Sequence, residues 1–295
     1  MKILLAIDGS EYSRMAINFI VSRKTLIASK PDIEVLNVQL KPLHISSVQA
    51  RRMVLSHHAE EAEKILQRAR TQLRKAGLEP TGRYAVGHPA TEIAARAESN
   101  SADLLILGSH GHSALAGLLL GSVTNEVLVR TKRPMLIIRG RTGNYPDSLR
   151  VGIAIDGSRY GREAMKYVLK HMPLFGANPK LTLIHVVQSY ALTVVPTIVG
   201  YTMRPLSDVQ IERIQTEALE RAARPVRPLL EKAGIDADEV LLVGNAGEEL
   251  SRYARKKLDL LVLGSHGYGA FKAAVMGSVA TRVTASCAVP LLLVR

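Results

Sequence analysis

Residues 108–122 read GSHGHSALAGLLLGS, and residues 264–278 read GSHGYGAFKAAVMGS. The two stretches share one skeleton: Gly, two residues, Gly, nine residues, Gly, Ser. A short apolar run precedes each copy (Leu104-Leu105-Ile106-Leu107 and Leu260-Leu261-Val262-Leu263), and a helix-like segment follows. Glycine at the end of a strand lets backbone come close to a ligand. A Ser that opens a helix leaves unpaired N–H groups pointing outward. Together these features suit a phosphate.

Working outward, a second pair of motifs shows that the whole chain is duplicated. Ala6-Ile7-Asp8-Gly9-Ser10 recurs as Ala154-Ile155-Asp156-Gly157-Ser158, each copy after an apolar strand-length run and before residues with helical spacing. Further strands are predicted at 33–38 and 181–186, 82–86 and 239–243, 104–107 and 260–263, and 135–138 and 291–294. Helices are predicted at about 48–76 and 208–233, each stopped by a glycine (Gly77, Gly234), with Pro225 and Pro228 breaking or kinking the second. Short helices are expected at about 90–99 and 247–257. The repeats drift by eight residues, most of which fall in 188–204, expected to be a lid or interface loop.

Strands alternating with helices imply parallel sheets with right-handed crossovers. The expected fold class is therefore α/β: two tandem, doubly wound, five-stranded parallel sheets of Rossmann-like type. The predicted domains are 1–140 and 149–295, with a polar linker at 141–148. Asp8 and Gly108 (Asp156 and Gly264 in the second half) would stand at carboxyl ends of strands beside a switch in strand order, where open α/β sheets bind ligands.

Composition narrows the function classes. Apolar residues make up 47% and charged residues 22%, ordinary for a globular protein with two full cores. The net charge of +13 is spread over both halves, with 20 Lys+Arg against 13 Asp+Glu up to residue 148 and 19 against 13 beyond it. Without a basic cluster or nucleic-acid motif this is read as background, and no specific nucleic acid is expected. The single cysteine, Cys287, excludes an intrachain disulfide and is read as a small buried hydrophobe in a cytoplasmic protein. The start of the chain does not read as a signal peptide. Residues 181–203 hold no Asp, Glu, Lys or Arg, but His185, Gln188 and Pro196 argue against a membrane span.

The loops lack the lysine that a Walker phosphate loop places just before its Ser or Thr; Gly121 and Gly277 stand there instead. Holding is favoured over phosphoryl transfer, and no catalytic residue or metal ligand is assigned. The bland alternatives are that Asp8 and Asp156 merely form turns, and that His110 and His266 are polar contacts rather than catalysts. His57-His58 is read as a solvated helix face.

The AIDGS start, the doubled glycine loop and the Pro-x-Leu/Ile-x-x-Arg endings resemble the universal stress protein family, in tandem and over essentially the whole chain. The resemblance implies ATP binding, with Mg²⁺ as a candidate companion. It would place Gly108, Ser109, His110, Gly111, Gly121, Ser122 and Val123 on ribose and phosphates, and Asp8 and Val38 beside adenosine. The second set would be Asp156, Val186, Gly264, Ser265, His266, Gly267, Gly277, Ser278 and Val279. The implied role is a nucleotide-dependent sensor or regulator in stress response, the alternatives being a slow ATPase, an autophosphorylating enzyme, or a scaffold with one degenerate site. The resemblance also implies that the closing strands pair the halves as an intrachain pseudo-dimer, with homodimerisation a further option. Gly87-His88-Pro89 of the first half becomes Gly244-Asn245-Ala246 in the second, so if the sites differ, the first is expected to be the tighter.

Overall fold

The computed structural model describes residues 1–42, 47–110, 120–140, 145–189, 192–197, 200–205, 207–265 and 276–295, with backbone alone at 192–197 and 200–205. The first half runs β1 (Lys2–Ala6), α1 (Glu11–Val21), α2 (Lys24–Ala28), β2 (Asp32–Gln39), α3 (Val48–Lys75), β3 (Thr81–Val86), α4 (Pro89–Ser99), β4 (Leu104–Gly108), α5 (Ser122–Arg130) and β5 (Met135–Ile138). The second half repeats it as β6 (Arg150–Ala154), α6 (Arg159–Lys170), a 3-10 turn (Met172–Leu174) and β7 (Lys180–Val187). It continues through β8 (Leu192–Thr197), β9 (Gly200–Pro205), α7 (Asp208–Ala223), α8 (Arg227–Ala233), β10 (Ala237–Val243), α9 (Ala246–Lys257), β11 (Leu260–Gly264), α10 (Ser278–Ser286) and β12 (Leu291–Val294).

The strands form one ten-stranded sheet in the order β10-β7-β6-β11-β12-β5-β4-β1-β2-β3. Within each half every pairing is parallel. The halves meet where β12 pairs antiparallel with β5, in the register Leu291↔Ile137, Leu292↔Leu136 and Leu293↔Met135. Leu136 and Leu292 are equivalent residues of the two repeats, so the local two-fold axis passes between them. The closing strands thus pair, as the resemblance implied, and turn two five-stranded sheets into one.

Apolar side chains on the two faces of the sheet make two cores, each running through both halves. One packs α1, α3, α6, α7 and α8 against the sheet, and the other packs α4, α5, α9 and α10. In α3 the buried residues are Ala62, Leu66, Ala69 and Leu73, a stripe at helical spacing; its first turns overhang the sheet exposed. The predicted break at Pro225 is present, since α7 ends at Ala223 and α8 begins at Arg227 with Pro228 in its first turn.

The connection at 188–204, expected to be a lid or interface loop, contains an antiparallel pair, Leu192↔Pro205 to Thr197↔Gly200, which forms a separate two-stranded sheet. β8 is rich in β-branched residues (Thr193, Val194, Val195 and Thr197), and Pro196 is tolerated because the two-stranded pair leaves each strand one open edge. No described helix is long and apolar enough to cross a membrane.

Besides the sheet joint, Thr25 Oγ1 donates to the Pro173 carbonyl at 2.8 Å and the Tyr167 hydroxyl to the Asp103 carbonyl at 3.0 Å, and three arginines add further ties. Arg139, just past β5, donates from Nη1 to the Thr284 and Cys287 carbonyls at 2.8 and 2.9 Å, the carboxyl end of α10. Arg295 reciprocates with the Leu128 carbonyl of α5, the position equivalent to Thr284. On the opposite edge, wholly buried Arg23 donates to the Pro146 and Asp147 carbonyls, seating the end of the linker against α1. Burial pushes the pKa of both Arg23 and Arg139 down, an indication of how fully these guanidinium groups are desolvated.

Candidate functional site

At the switch point of the first half, β1 and β4 are neighbours and diverge to opposite sides. Asp8 follows β1 and builds its turn: its Oδ1 accepts from the Ser10 N–H at 2.9 Å and from Ser13 Oγ at 2.6 Å. The Asp8 N–H donates to Ser13 Oγ at 2.9 Å, and Ser10 caps α1 through the Ser13 N–H. The second half keeps only part of this. Ser158 N–H donates to Asp156 Oδ1 at 2.9 Å, but Gly161 stands where the first half has Ser13. The turn-forming reading of both aspartates is therefore structural fact, whatever else they touch.

The backbone behind each turn is fixed from β2 or β7. Asn37 Nδ2 donates to the Ile7 carbonyl at 2.8 Å. His185, at the equivalent position, lies 2.9 Å from the Ile155 carbonyl through Nδ1, which must carry the proton because a carbonyl only accepts. Val38 and Val186, the next residues, are half-buried beside these contacts.

The glycine loops are closed by backbone bonds. Ser109 N–H donates to the Ile138 carbonyl and Gly121 N–H to the Ser109 carbonyl, both at 2.8 Å. Ser265 and Gly277 repeat the pattern at 2.8 and 2.9 Å. This bracket places Ser122 and Ser278 as the first residues of α5 and α10, both exposed. Gly121 and Gly277 occupy the N-cap positions and supply no side-chain cap, so the first-turn N–H groups face outward. Thr124 ties α5 back through Oγ1 to the Gly108 carbonyl at 2.8 Å; the equivalent Ala280 has no hydroxyl to do so.

The glycines also answer a need within the chain that the sequence did not show. A Cβ on Gly108 would stand 2.5 Å from Tyr12 Cβ, and one on Gly264 2.8 Å from Tyr160 Cβ. A Cβ on Gly121 would stand 2.9 Å from the Ser109 carbonyl oxygen. Close approach is needed within the chain, to seat α1 or α6 and to close the loop. His110 packs tilted against Tyr12 with ring centroids 5.3 Å apart, its Nδ1 3.1 Å from Ser109 Oγ. Gly111, His266 and Gly267 lie outside the described residues.

The second half contains a cavity of about 680 Å³ between the ends of β7 and β10 and the starts of α9 and α10. Val186, Gln188, Ser189, Ser278, Val279 and Arg282 line it, together with residues 244–247. The sequence reading missed Gln188, Asn245 and Arg282; their one signal was proximity to predicted loop ends. Asn245 replaces the pattern kept as His88-Pro89 in the first half. There Pro89 occupies the first turn of α4 and His88 makes no cap, whereas Asn245 Oδ1 accepts from the Gly247 and Glu248 N–H groups and caps α9. The proline has been exchanged for a side-chain cap, so its loss leaves the helix start well formed.

These features define a duplicated open-sheet α/β protein with an uncapped, glycine-bracketed helix start at each switch point. A model described as the universal stress protein family matches residues 1–139 and again 149–295. The chain belongs to the universal stress protein family. It is 30% identical over 152 residues to universal stress protein MJ0577 of Methanocaldococcus jannaschii, covering 47% of this chain and 94% of that protein. It is 33% identical over 138 residues to universal stress protein Slr1230 of Synechocystis, covering 47% of this chain and 42% of that one. The crystal structure of a universal stress protein from Archaeoglobus fulgidus is similar over 100% of this chain and 96% of its own, with a TM-score of 0.68 at 21% identity, a likeness of fold.

Proposed function

We propose that each half binds an adenine nucleotide, ATP being the expected ligand, and that the chain acts as a nucleotide-dependent regulator in stress response. The observation that carries this reading is the pair of uncapped helix starts, α5 and α10, presented by the Gly121–Ser109 and Gly277–Ser265 brackets at the carboxyl edge of the sheet. Free N–H groups and the positive end of the helix dipole favour a phosphate there. In the second half this donor set opens on a cavity large enough for a nucleotide, with Val186 as an apolar wall for a base.

In this reading Ser122, Val123, Ser278 and Val279 meet phosphate through backbone N–H and hydroxyl groups, while Gly108, Ser109, His110, Gly264 and Ser265 shape the ribose side. Asp8, Val38, Asp156 and Val186 flank adenosine. Mg²⁺, where present, would screen the phosphates. The chain's own groups are donors and turn formers, which suits retention of ATP better than its hydrolysis. The domain limits 1–140 and 149–295 and a cytoplasmic location belong to the same proposal.

Calorimetric titration of nucleotide-stripped protein with ATP is expected to give saturable heat from two sites. Gly121→Val, which drives a side chain into the Ser109 carbonyl, is expected to abolish the first-half share while the protein remains folded by circular dichroism. Absence of any saturable heat would sink the nucleotide reading.

A further inference from the structure

The two halves differ in charge at one equivalent position near the helix starts. Five residues past the bracket glycine, α5 carries Glu126 and α10 carries Arg282. In the first half Glu126 Oε2 lies 3.8 Å from His88 Nε2 and 3.5 Å from Arg130, so the gap between α4 and α5 is bridged by these side chains. In the second half the counterpart of His88 is Asn245, turned inward to cap α9, and the gap opens into the 680 Å³ cavity with Arg282 on its wall.

The aliphatic stem of Arg282 is seated on Gly247: a Cβ there would meet its Cδ, Cγ and Cβ at 2.6, 2.7 and 2.8 Å. The first half has Ala90 at that position, which leaves no such groove. Arg282 follows Ser278 by one helical turn, which puts its guanidinium on the same side of α10 as the outward N–H groups. Its nearest carboxylate, Glu248 at 3.9 Å, is 72% exposed and does not line the cavity; the first-half counterpart is Thr91. A pair so long and so solvated holds the cation only weakly. Glu249 stands by Gly244 and pairs with Arg252, as Glu92 stands by Gly87 in the first half, so that carboxylate is common to both halves.

We infer that the second-half cavity is a polyphosphate subsite in which Arg282 sets a preference for highly charged over uncharged ligands, and that the first half, with Glu126 in that place, lacks this preference. The inference rests on the nucleotide reading above. For charged ligands it also reverses the order of affinity that the loss of the Gly-x-Pro pattern suggested.

The test uses full-length, nucleotide-stripped wild type, Arg282→Gln and Glu126→Gln, each titrated by calorimetry without Mg²⁺ with ATP, adenosine and inorganic tripolyphosphate. Arg282→Gln is expected to weaken the tighter ATP class about tenfold, the scale of one charge-assisted hydrogen bond. It should weaken tripolyphosphate by a similar factor and leave adenosine within about twofold. Glu126→Gln is expected to strengthen the weaker ATP class and spare the tighter one. ATP binding that is indifferent to Arg282→Gln overturns the inference while the nucleotide reading stands. If neither ATP nor adenosine binds the wild type, the nucleotide reading falls and takes the inference with it. Because both substitutions are at exposed side chains, folding of the variants is expected and is checked by circular dichroism.

Discussion

Around Asp8 the same carboxylate oxygen accepts from the Ser10 N–H and the Ser13 hydroxyl, so the side chain that faces the switch point is held by its own turn. Gly161 in place of Ser13 takes that hydroxyl away from the second copy. His171 has no part in the site but reports on packing at the other edge of the sheet. It is 8% exposed and tilted against the Tyr167 ring, with centroids 4.5 Å apart. Burial, and next the charge of Lys170, lower its pKa below the usual histidine value of 6.5. The unfolded chain then takes up the proton first as pH falls, so stability is full above the unfolded pKa and is lost below it. Thermal unfolding is expected at lower temperature at pH 5.5 than at pH 7.5, and part of that difference should vanish in His171→Leu. An equal pH dependence in the variant would clear His171 of the effect.

At the scale of elements, the strands and helices common to both halves were legible because each appears twice, so periodicity in one copy could be checked against the other. The AIDGS turns and glycine loops were legible because their residue types are demanded by backbone geometry. The reason for the glycines was not legible, since Tyr12 and the Ser109 carbonyl approach them only in three dimensions. Nor was the hairpin of β8 and β9, which has no counterpart among the described residues of the other repeat. Arg282 was invisible for a related reason: its importance lies in the cavity it borders and in the contrast with Glu126, not in any motif. The start of α9 offers a direct test. Asn245→Ala removes a side chain that accepts from two N–H groups, and is expected to cost about 1 kcal/mol in chemical denaturation. His88→Ala, at the uncapped counterpart, should change stability by much less. Equal losses would mean that Asn245 does not serve as the cap.

Across the whole molecule, the joint between halves combines three residue pairs of β5 and β12 with two buried or half-buried arginines. Arg139 is 6% exposed and its Nη1 satisfies two carbonyls at the end of α10, while its Nε and Nη2 have no hydrogen-bond partner among the described residues. Arg139→Met keeps the volume but orphans those carbonyls. The expected loss is roughly 1–3 kcal/mol in urea denaturation, with the unfolding transition broadening or splitting as the halves uncouple. A variant as stable and as cooperative as the wild type would show that Arg139 does not help to hold the halves together.

That joint has a consequence for how the sites can differ. In an isologous dimer of identical chains, any change to one face is copied to the other, because the same residues serve both. Here the axis between Leu136 and Leu292 relates unlike sequences fixed in one chain, at a ratio of one to one whatever the concentration. A substitution on α10 therefore leaves α5 untouched. Arg282 and Glu126 stand at equivalent positions in a single molecule, so the two helix starts carry opposite local charge and always travel together.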